Sequence, residues 1–165
     1  MAGSIVVYPG TFDPVTYGHL DIIERAVTVF GSLIVAVAHN PQKNPLFTVE
    51  ERKEMLRLSL GENPNIEVDD FDGLLIDYLK RRNARVVLRG LRALSDFEYE
   101  FQMALMNRKQ DCTIETIFMM TSEAYSYLNS KLIKEIAYLG GSVKGLVPDP
   151  IAERLRARFK EGGSG

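Results

Sequence analysis

Short apolar runs alternate with stretches whose apolar residues recur at helical spacing, and this alternation predicts the fold. Ile5-Val6-Val7-Tyr8 is a β-branched run stopping at Pro9-Gly10, the pattern of a buried strand that ends in a sharp turn. Leu33-Ile34-Val35-Ala36-Val37 is a second such run, and between the two Leu20, Ile23, Val27 and Phe30 recur at helical spacing. Strand, helix, strand implies a parallel pair joined by a right-handed crossover. Thr48-Val49-Glu50-Glu51 has the form of a capping box opening a helix to about Leu60. Beyond it the pattern predicts a brief strand over 66–68, a helix over 74–82, a strand over 85–88, a helix over 97–108 and a strand over 116–120. Two helices follow, over 130–138 and 151–159. Five strands alternating with helices predict an α/β fold, a single-domain Rossmann-like doubly wound five-stranded parallel sheet with helices on both faces. The domain is expected to fill residues 1–160, with 161–165 as a mobile tail.

Composition fits this and removes other classes. With 165 residues, 45% hydrophobic and 25% charged, the chain matches one soluble globular domain, not a disordered or disulfide-scaffold protein. Lys and Arg number 20 against 22 Asp and Glu, so the net charge of -2 gives no global attraction to nucleic acid or anionic membrane. An anion site has to be local. The single Cys112 suits a reducing compartment, no apolar run approaches the roughly 20 residues of a membrane span, and no signal segment opens the chain. A cytoplasmic protein with no membrane partner is expected.

Open parallel sheets bind ligands beyond the carboxyl ends of their strands, so the residues after each strand carry the candidate chemistry. After the first strand, residues 8–19 bring the hydroxyls of Thr11 and Thr16 and the imidazole of His19 to the start of a helix, where free N–H groups favour an anion. On position alone a lone His beside Gly at a helix start is more often a capping or packing residue. After the second strand, Lys43 stands in a polar loop, which by itself describes a surface charge. The fourth strand ends in Arg89-Gly90-Leu91-Arg92, where two guanidinium forks can converge on one phosphate, whereas Arg81 and Arg82 are expected to be solvated. Asn129 or Ser130 caps the helix after the fifth strand and offers another anion site. No carboxylate pair, metal cluster or Ser/His/Asp arrangement stands out, so no protein metal site is expected.

These strings resemble a known family. Thr16-Tyr17-Gly18-His19 resembles the TxGH motif of the nucleotidylyltransferase superfamily, and Tyr8-Pro-Gly-Thr-Phe-Asp-Pro with Gly18-His19 resembles the bacterial phosphopantetheine adenylyltransferases. Lys43 matches the family lysine in a Lys-x-Pro-x-Phe-Thr string. Arg89-Gly-Leu-Arg92 followed by Asp96-Phe-Glu-Tyr-Glu100 matches a further string. Residues 125–131 resemble the Ile-Ser-Ser-Ser/Thr segment but keep only Ser130, with Asn129 and Lys131 replacing its neighbours. Lys131 adds a positive charge there.

The resemblance implies adenylyl transfer from ATP to 4′-phosphopantetheine, giving dephospho-coenzyme A and pyrophosphate by in-line attack on the α-phosphate. Thr11, His19, Lys43 and Arg92 would be the catalytic residues. Thr11, Lys43, Leu75 and Arg89 would bind the acceptor. Thr11, Phe12, His19, Gly90, Leu91, Arg92, Glu100, Tyr125, Ser126, Tyr127, Leu128, Asn129, Ser130 and Lys131 would line the ATP site. The resemblance further implies Mg²⁺ held mainly by the ATP phosphates, coenzyme A as product-like feedback ligand, a homohexamer and no nucleic-acid partner. Two alternatives remain at this stage. One is a superfamily transferase with another acceptor, such as nicotinate mononucleotide; the other is a non-catalytic nucleotide- or RNA-binding module.

Overall fold

The computed structural model describes residues 3–162. Strands β1 (Val6–Gly10), β2 (Leu33–Ala38), β3 (Ile66–Phe71), β4 (Val86–Leu91) and β5 (Glu115–Met120) form one sheet in the order β3-β2-β1-β4-β5. Every pairing is parallel. Helices α1 (Tyr17–Phe30), α2 (Val49–Leu60), α3 (Leu75–Arg81), α4 (Leu94–Gln110), α5 (Ser130–Tyr138) and α6 (Asp149–Glu161) connect and follow the strands.

Strand period decides what each face buries. Val6, Tyr8, Leu33, Val35, Val37 and Leu88 point to one side, where Ile22 and Ile23 of α1, Met55 and Leu56 of α2, Ile133 of α5 and Leu155 of α6 cover them. Their neighbours Val7, Ile34, Ala36 and Val87 point to the other, against Ile76 and Leu79 of α3. Two buried faces explain why the central strands read as uninterrupted apolar runs.

Several boundaries differ from the sequence expectation, each for a physical reason. Pro9 and Gly10 belong to β1 and do not form a turn, because β2 pairs with the strand as far as Gly10 opposite Val37. Pairing with β4 stops at Val7 opposite Val87, so Pro9, which has no N–H to donate, falls where that ladder has already opened. The third strand runs to Phe71, not 68. Its Glu67, Asp69 and Asp70 interrupt the apolar pattern because β3 is an edge strand whose side chains meet cations. Arg82 binds Glu67 at 2.6 Å and Asp69 at 2.7 Å, and is therefore paired, not solvated. The fourth strand includes Arg89, Gly90 and Leu91. The last helix continues to Glu161, so the expected tail begins late, and residues 163–165 lie outside the described residues.

The capping box opening α2 forms as expected: Thr48 Oγ1 accepts from Glu51 N–H at 3.2 Å and Thr48 N–H donates to Glu51 Oε2 at 2.8 Å. Thr48→Ala is expected to cost about 1 kcal/mol of stability, read as a shift of the denaturant midpoint at unchanged slope.

Candidate active site

The order of strands reverses at β1, which has β2 on one side and β4 on the other; such a switch point opens a crevice beyond the strand ends. A cleft of about 820 Å³ lies there. It gathers Thr11, Phe12, His19, Lys43, Arg89, Gly90, Arg92, Glu100, Leu128, Asn129, Ser130 and Lys131, so most of the residues nominated from sequence meet in one place. Leu75, Leu91, Tyr125, Ser126 and Tyr127 do not line it. Leu75 opens α3 at the end of β3, and Leu91 closes β4. Tyr125 stacks on Tyr17 with ring centroids 6.0 Å apart, Ser126 donates to the Glu123 carbonyl, and Tyr127 is exposed.

Local geometry fixes the state of His19. Thr16 caps α1 by accepting the His19 N–H, and the Thr16 N–H donates to His19 Nδ1 at 3.0 Å. Nδ1 therefore carries no proton in the neutral ring, and the proton sits on Nε2, which makes no hydrogen bond to the described residues. Burial, reinforced by the charges of Arg92 and then Arg89, pushes the imidazole down to about 4. His19 is thus a neutral N–H donor at the cleft. Both Thr11 and Thr16 line the cleft, but the buried Thr16 hydroxyl is spent on the cap, and of the pair only Thr11 has its hydroxyl unbonded.

Phe12 holds Thr11 in place. Its φ of 50° is left-handed, unusual for a bulky residue and costing on the order of 1 kcal/mol or more. Burial of its ring compensates, with Tyr8 and His19 edge-on at 5.4 and 4.9 Å. The same ring needs Gly10: a Cβ there would lie 3.0 Å from it.

Five cations and three carboxylates line the cleft. Lys134 pairs with Asp13 at 2.7 Å, Arg92 with Asp96 at 3.1 Å, and Arg89 with Glu100 at 2.6 Å. Lys43 and Lys131 have no ion-pair partner among the described residues, which leaves the cleft a net cation surface in a chain of charge -2. The expectation of two arginines converging on a phosphate needs revision. Arg89 is already held, by Glu100 through two guanidinium nitrogens and by the Pro9 carbonyl at 2.8 Å where the β1–β4 ladder has opened. Arg92, more exposed, donates to Asp96 and to the Leu128 carbonyl at 3.0 Å. Asn129 caps α5 by accepting from Leu132 N–H, and Ser130 donates to the Pro14 carbonyl, tying the start of α5 to the loop that precedes α1.

Sequence reasoning missed Asp13, Lys134 and Arg52. Asp13 is 2% exposed, and a lone carboxylate between Phe12 and Pro14-Val15 was a readable sign of burial. Lys134 and Arg52 look like ordinary helix cations and gave no sign. Among the described residues, no group of three or more His, Cys, Asp or Glu is placed to hold a metal, and no helix is long and apolar enough to cross a membrane.

A cation-lined cleft between two helix starts, at the switch point of a doubly wound sheet, is the equipment of an enzyme that handles nucleotide phosphates. The cytidylyltransferase-like family matches residues 7–136 of the chain. Three curated relatives called phosphopantetheine adenylyltransferase make the family narrower. Those of Carboxydothermus hydrogenoformans, Caldanaerobacter subterraneus subsp. tengcongensis and Geobacter metallireducens are 57%, 56% and 52% identical over 96%, 95% and 98% of this chain, and over 98%, 98% and 99% of their own lengths. The chain belongs to the phosphopantetheine adenylyltransferase family of nucleotidyltransferases. A solved structure, the lipopolysaccharide core biosynthesis protein of Thermoplasma volcanium GSS1, shares the fold with a TM-score of 0.55 at 16% identity, over 73% of this chain and 98% of that one.

Proposed function

We propose that the enzyme joins ATP and 4′-phosphopantetheine to give dephospho-coenzyme A and pyrophosphate, as a step of coenzyme A formation in the cytoplasm. The acceptor phosphate oxygen attacks the α-phosphorus in line, the bond from that phosphorus to the β-bridging oxygen breaks, and pyrophosphate leaves. The observation that carries the reading is the presence in one cleft of a neutral His19 Nε2–H donor and of the Lys43 ammonium, which has no ion-pair partner among the described residues, in a chain so similar to relatives bearing that name.

The cleft needs no general base. A phosphate monoester has its second pKa near 6, so at neutral pH the acceptor is mostly dianionic and already nucleophilic. Catalysis then rests on positioning and on donors aimed at charge that develops on the α-phosphate. His19 would donate there through Nε2, assisted by Lys43 and by Arg92, whose contact with Asp96 is exposed enough to give way. Thr11 would orient the incoming phosphate. Arg89 would reach the acceptor phosphate only by loosening its hold on Glu100; as it stands it links β4 to the Pro9 carbonyl of β1 where their ladder has opened. Gly90, Glu100 and residues 128–131 would flank ATP, the α5 start and Lys131 facing the leaving pyrophosphate.

Mg²⁺ would enter with ATP and stay on its phosphates, neutralising their charge. Asp13, Asp96 and Glu100, the cleft carboxylates, are each engaged by a cation, which supports that arrangement. Coenzyme A, carrying the product's groups, would compete for the same cleft. Assembly of several copies, a homohexamer in the family reading, is supported by α4, whose Phe97, Tyr99, Phe101, Met103, Leu105 and Met106 are all exposed.

The test is pyrophosphate release from ATP with a panel of acceptors. Turnover is expected with 4′-phosphopantetheine and not with nicotinate mononucleotide, glycerol phosphate or choline phosphate. Preference for any of the others would overturn the choice of acceptor.

A further inference from the structure

Lys43 stands on a short bridge that is pinned at both ends. The bridge starts at His39, whose N–H donates to the Phe71 carbonyl and whose Nε2–H donates to Asp70 at 2.6 Å, and Asp70 is itself held by Lys53 at 2.6 Å. Between the pins, residues 40–45 have one 3-10 turn, Pro41–Lys43, closed by the bonds Lys43 N–H to Asn40 and Asn44 N–H to Pro41, both 3.2 Å. The turn buries no residue, so it has little packing of its own to fix the lysine.

The far pin is built from two buried charges. Asp13 accepts the N–H groups of Leu46 and Phe47, each at 2.9 Å, as well as the Lys134 ammonium. Arg52, only 1% exposed and among the largest fully buried side chains, donates from Nη1 to the Thr11 carbonyl at 2.8 Å and the Ala38 carbonyl at 3.1 Å, and from Nε to the Phe47 carbonyl at 3.1 Å. Arg52 has no carboxylate in direct contact among the described residues. A guanidinium held out of water by carbonyls alone is an expensive element, and burial lowers its proton affinity. An apolar side chain would avoid that desolvation but would leave the Thr11, Ala38 and Phe47 carbonyls without this donor. What the guanidinium adds is geometry: a planar fork that bonds the end of β2, the Thr11 loop and the residue entering α2 simultaneously.

We propose that Arg52, with Asp13 as its counterpart, is a positioning residue that sets the distance between Thr11 and Lys43 across the reacting phosphate. Thr11 follows β1 and Lys43 follows β2, and no direct hydrogen bond joins the two loops' functional groups. Their separation is set through Arg52 from below and through Asp13 from the side. The proposal rests on the adenylyl-transfer reading above. Displacement by about 1 Å is enough to lower a positioned reaction roughly 10²-fold.

Arg52→Met keeps volume and removes the fork, and Arg52→Lys keeps the charge but not the plane. The expected result for both is a kcat lowered at least 30-fold with the KM for ATP within about threefold, the lysine variant being the milder. Lys43→Ala is then added. Because Arg52→Met has already displaced the lysine, the second change should lower kcat less than threefold further, whereas in the parent it acts in full. If Arg52→Met does not fold, judged by circular dichroism, the same cycle is run with Asp13→Asn. A folded variant with kcat within threefold of the parent, multiplying effects of the paired changes, or loss of folding in all three variants would overturn the proposal, the last by making the role structural alone. Failure of the underlying reading is separately visible, because the unsubstituted enzyme would then release no pyrophosphate with 4′-phosphopantetheine.

Discussion

His19→Ala is expected to lower kcat by at least 100-fold while KM for ATP changes little, the signature of a donor whose bond strengthens in the transition state. The structure adds two conditions. First, Nδ1 is occupied by the Thr16 N–H, so the donor that the variant removes from the cleft is Nε2–H, and the variant also loses half of the α1 capping box, worth about 1 kcal/mol or less. Folded enzyme should remain, with a modestly lower denaturation midpoint. Second, His19 is pushed down to about 4 by burial and then by Arg92 and Arg89, so it stays neutral through the working range. The acid limb of the kcat/KM profile is therefore expected near pH 6, set by the acceptor phosphate and not by the imidazole. Stability has the matching sign. Between the ordinary value of 6.5 and about 4 the unfolded chain takes up a proton that the folded chain refuses. Stability attributable to this group is full above pH 6.5 and is lost as pH falls through that window, so the fall should be shallower in His19→Ala. Pyrophosphate release and denaturation at a series of pH values measure both. Near-parental turnover would remove His19 from the mechanism, and an unchanged pH slope of stability would mean that the folded ring is not kept neutral.

Local signals were legible and partner choice was not. Buried parallel strands show as β-branched runs, and Leu33–Ala38 is nearly all core, so β2 was readable to within one residue. The Thr48 box depends on residues three apart, which the sequence displays directly. The Thr16 cap is equally local, yet a histidine stands where the box usually has Glu or Gln, so the pattern does not announce itself. β3 was read short because its acids answer Arg82, Lys53 and His39, which come from elsewhere in the chain. The strand-end rule pointed to the loops that carry His19, Lys43, Arg89, Arg92 and Lys131, and the family resemblance marked Lys43 among them, so the address of the site was available before its wiring. The wiring was not. Asp13 meets Lys134, 121 residues away, and Arg89 meets Glu100 and the Pro9 carbonyl, contacts that only the assembled crevice creates.

Glu100→Gln is expected to destabilise the enzyme by about 2 kcal/mol. Glu100 has 11% of its side chain exposed and Arg89 32%, and two of the arginine's nitrogens bond the carboxylate. Removing one partner of a fully buried pair costs about 3–5 kcal/mol because the remaining charge is left unanswered; the water that reaches Arg89 lowers the figure here. Burial opposes the Arg89 charge, while the Glu100 carboxylate more than offsets that opposition and raises its pKa, so the charge depends on this neighbour. An amide keeps the shape, withdraws the negative charge and turns an N–H₂ toward a guanidinium that has no acceptor. Tyr8 cannot replace the carboxylate, since burial pushes its phenol up to about 12 and it remains neutral. The loss should appear as a lower denaturant midpoint at unchanged slope. A phosphate can answer Arg89 in place of Glu100, so 4′-phosphopantetheine is expected to raise the midpoint of the variant more than that of the parent, through binding to the folded state alone. Equal shifts in the two proteins would mean that the acceptor phosphate does not meet Arg89, and a variant within 0.5 kcal/mol of the parent by the usual scale of surface changes would mean that the pair is already well solvated.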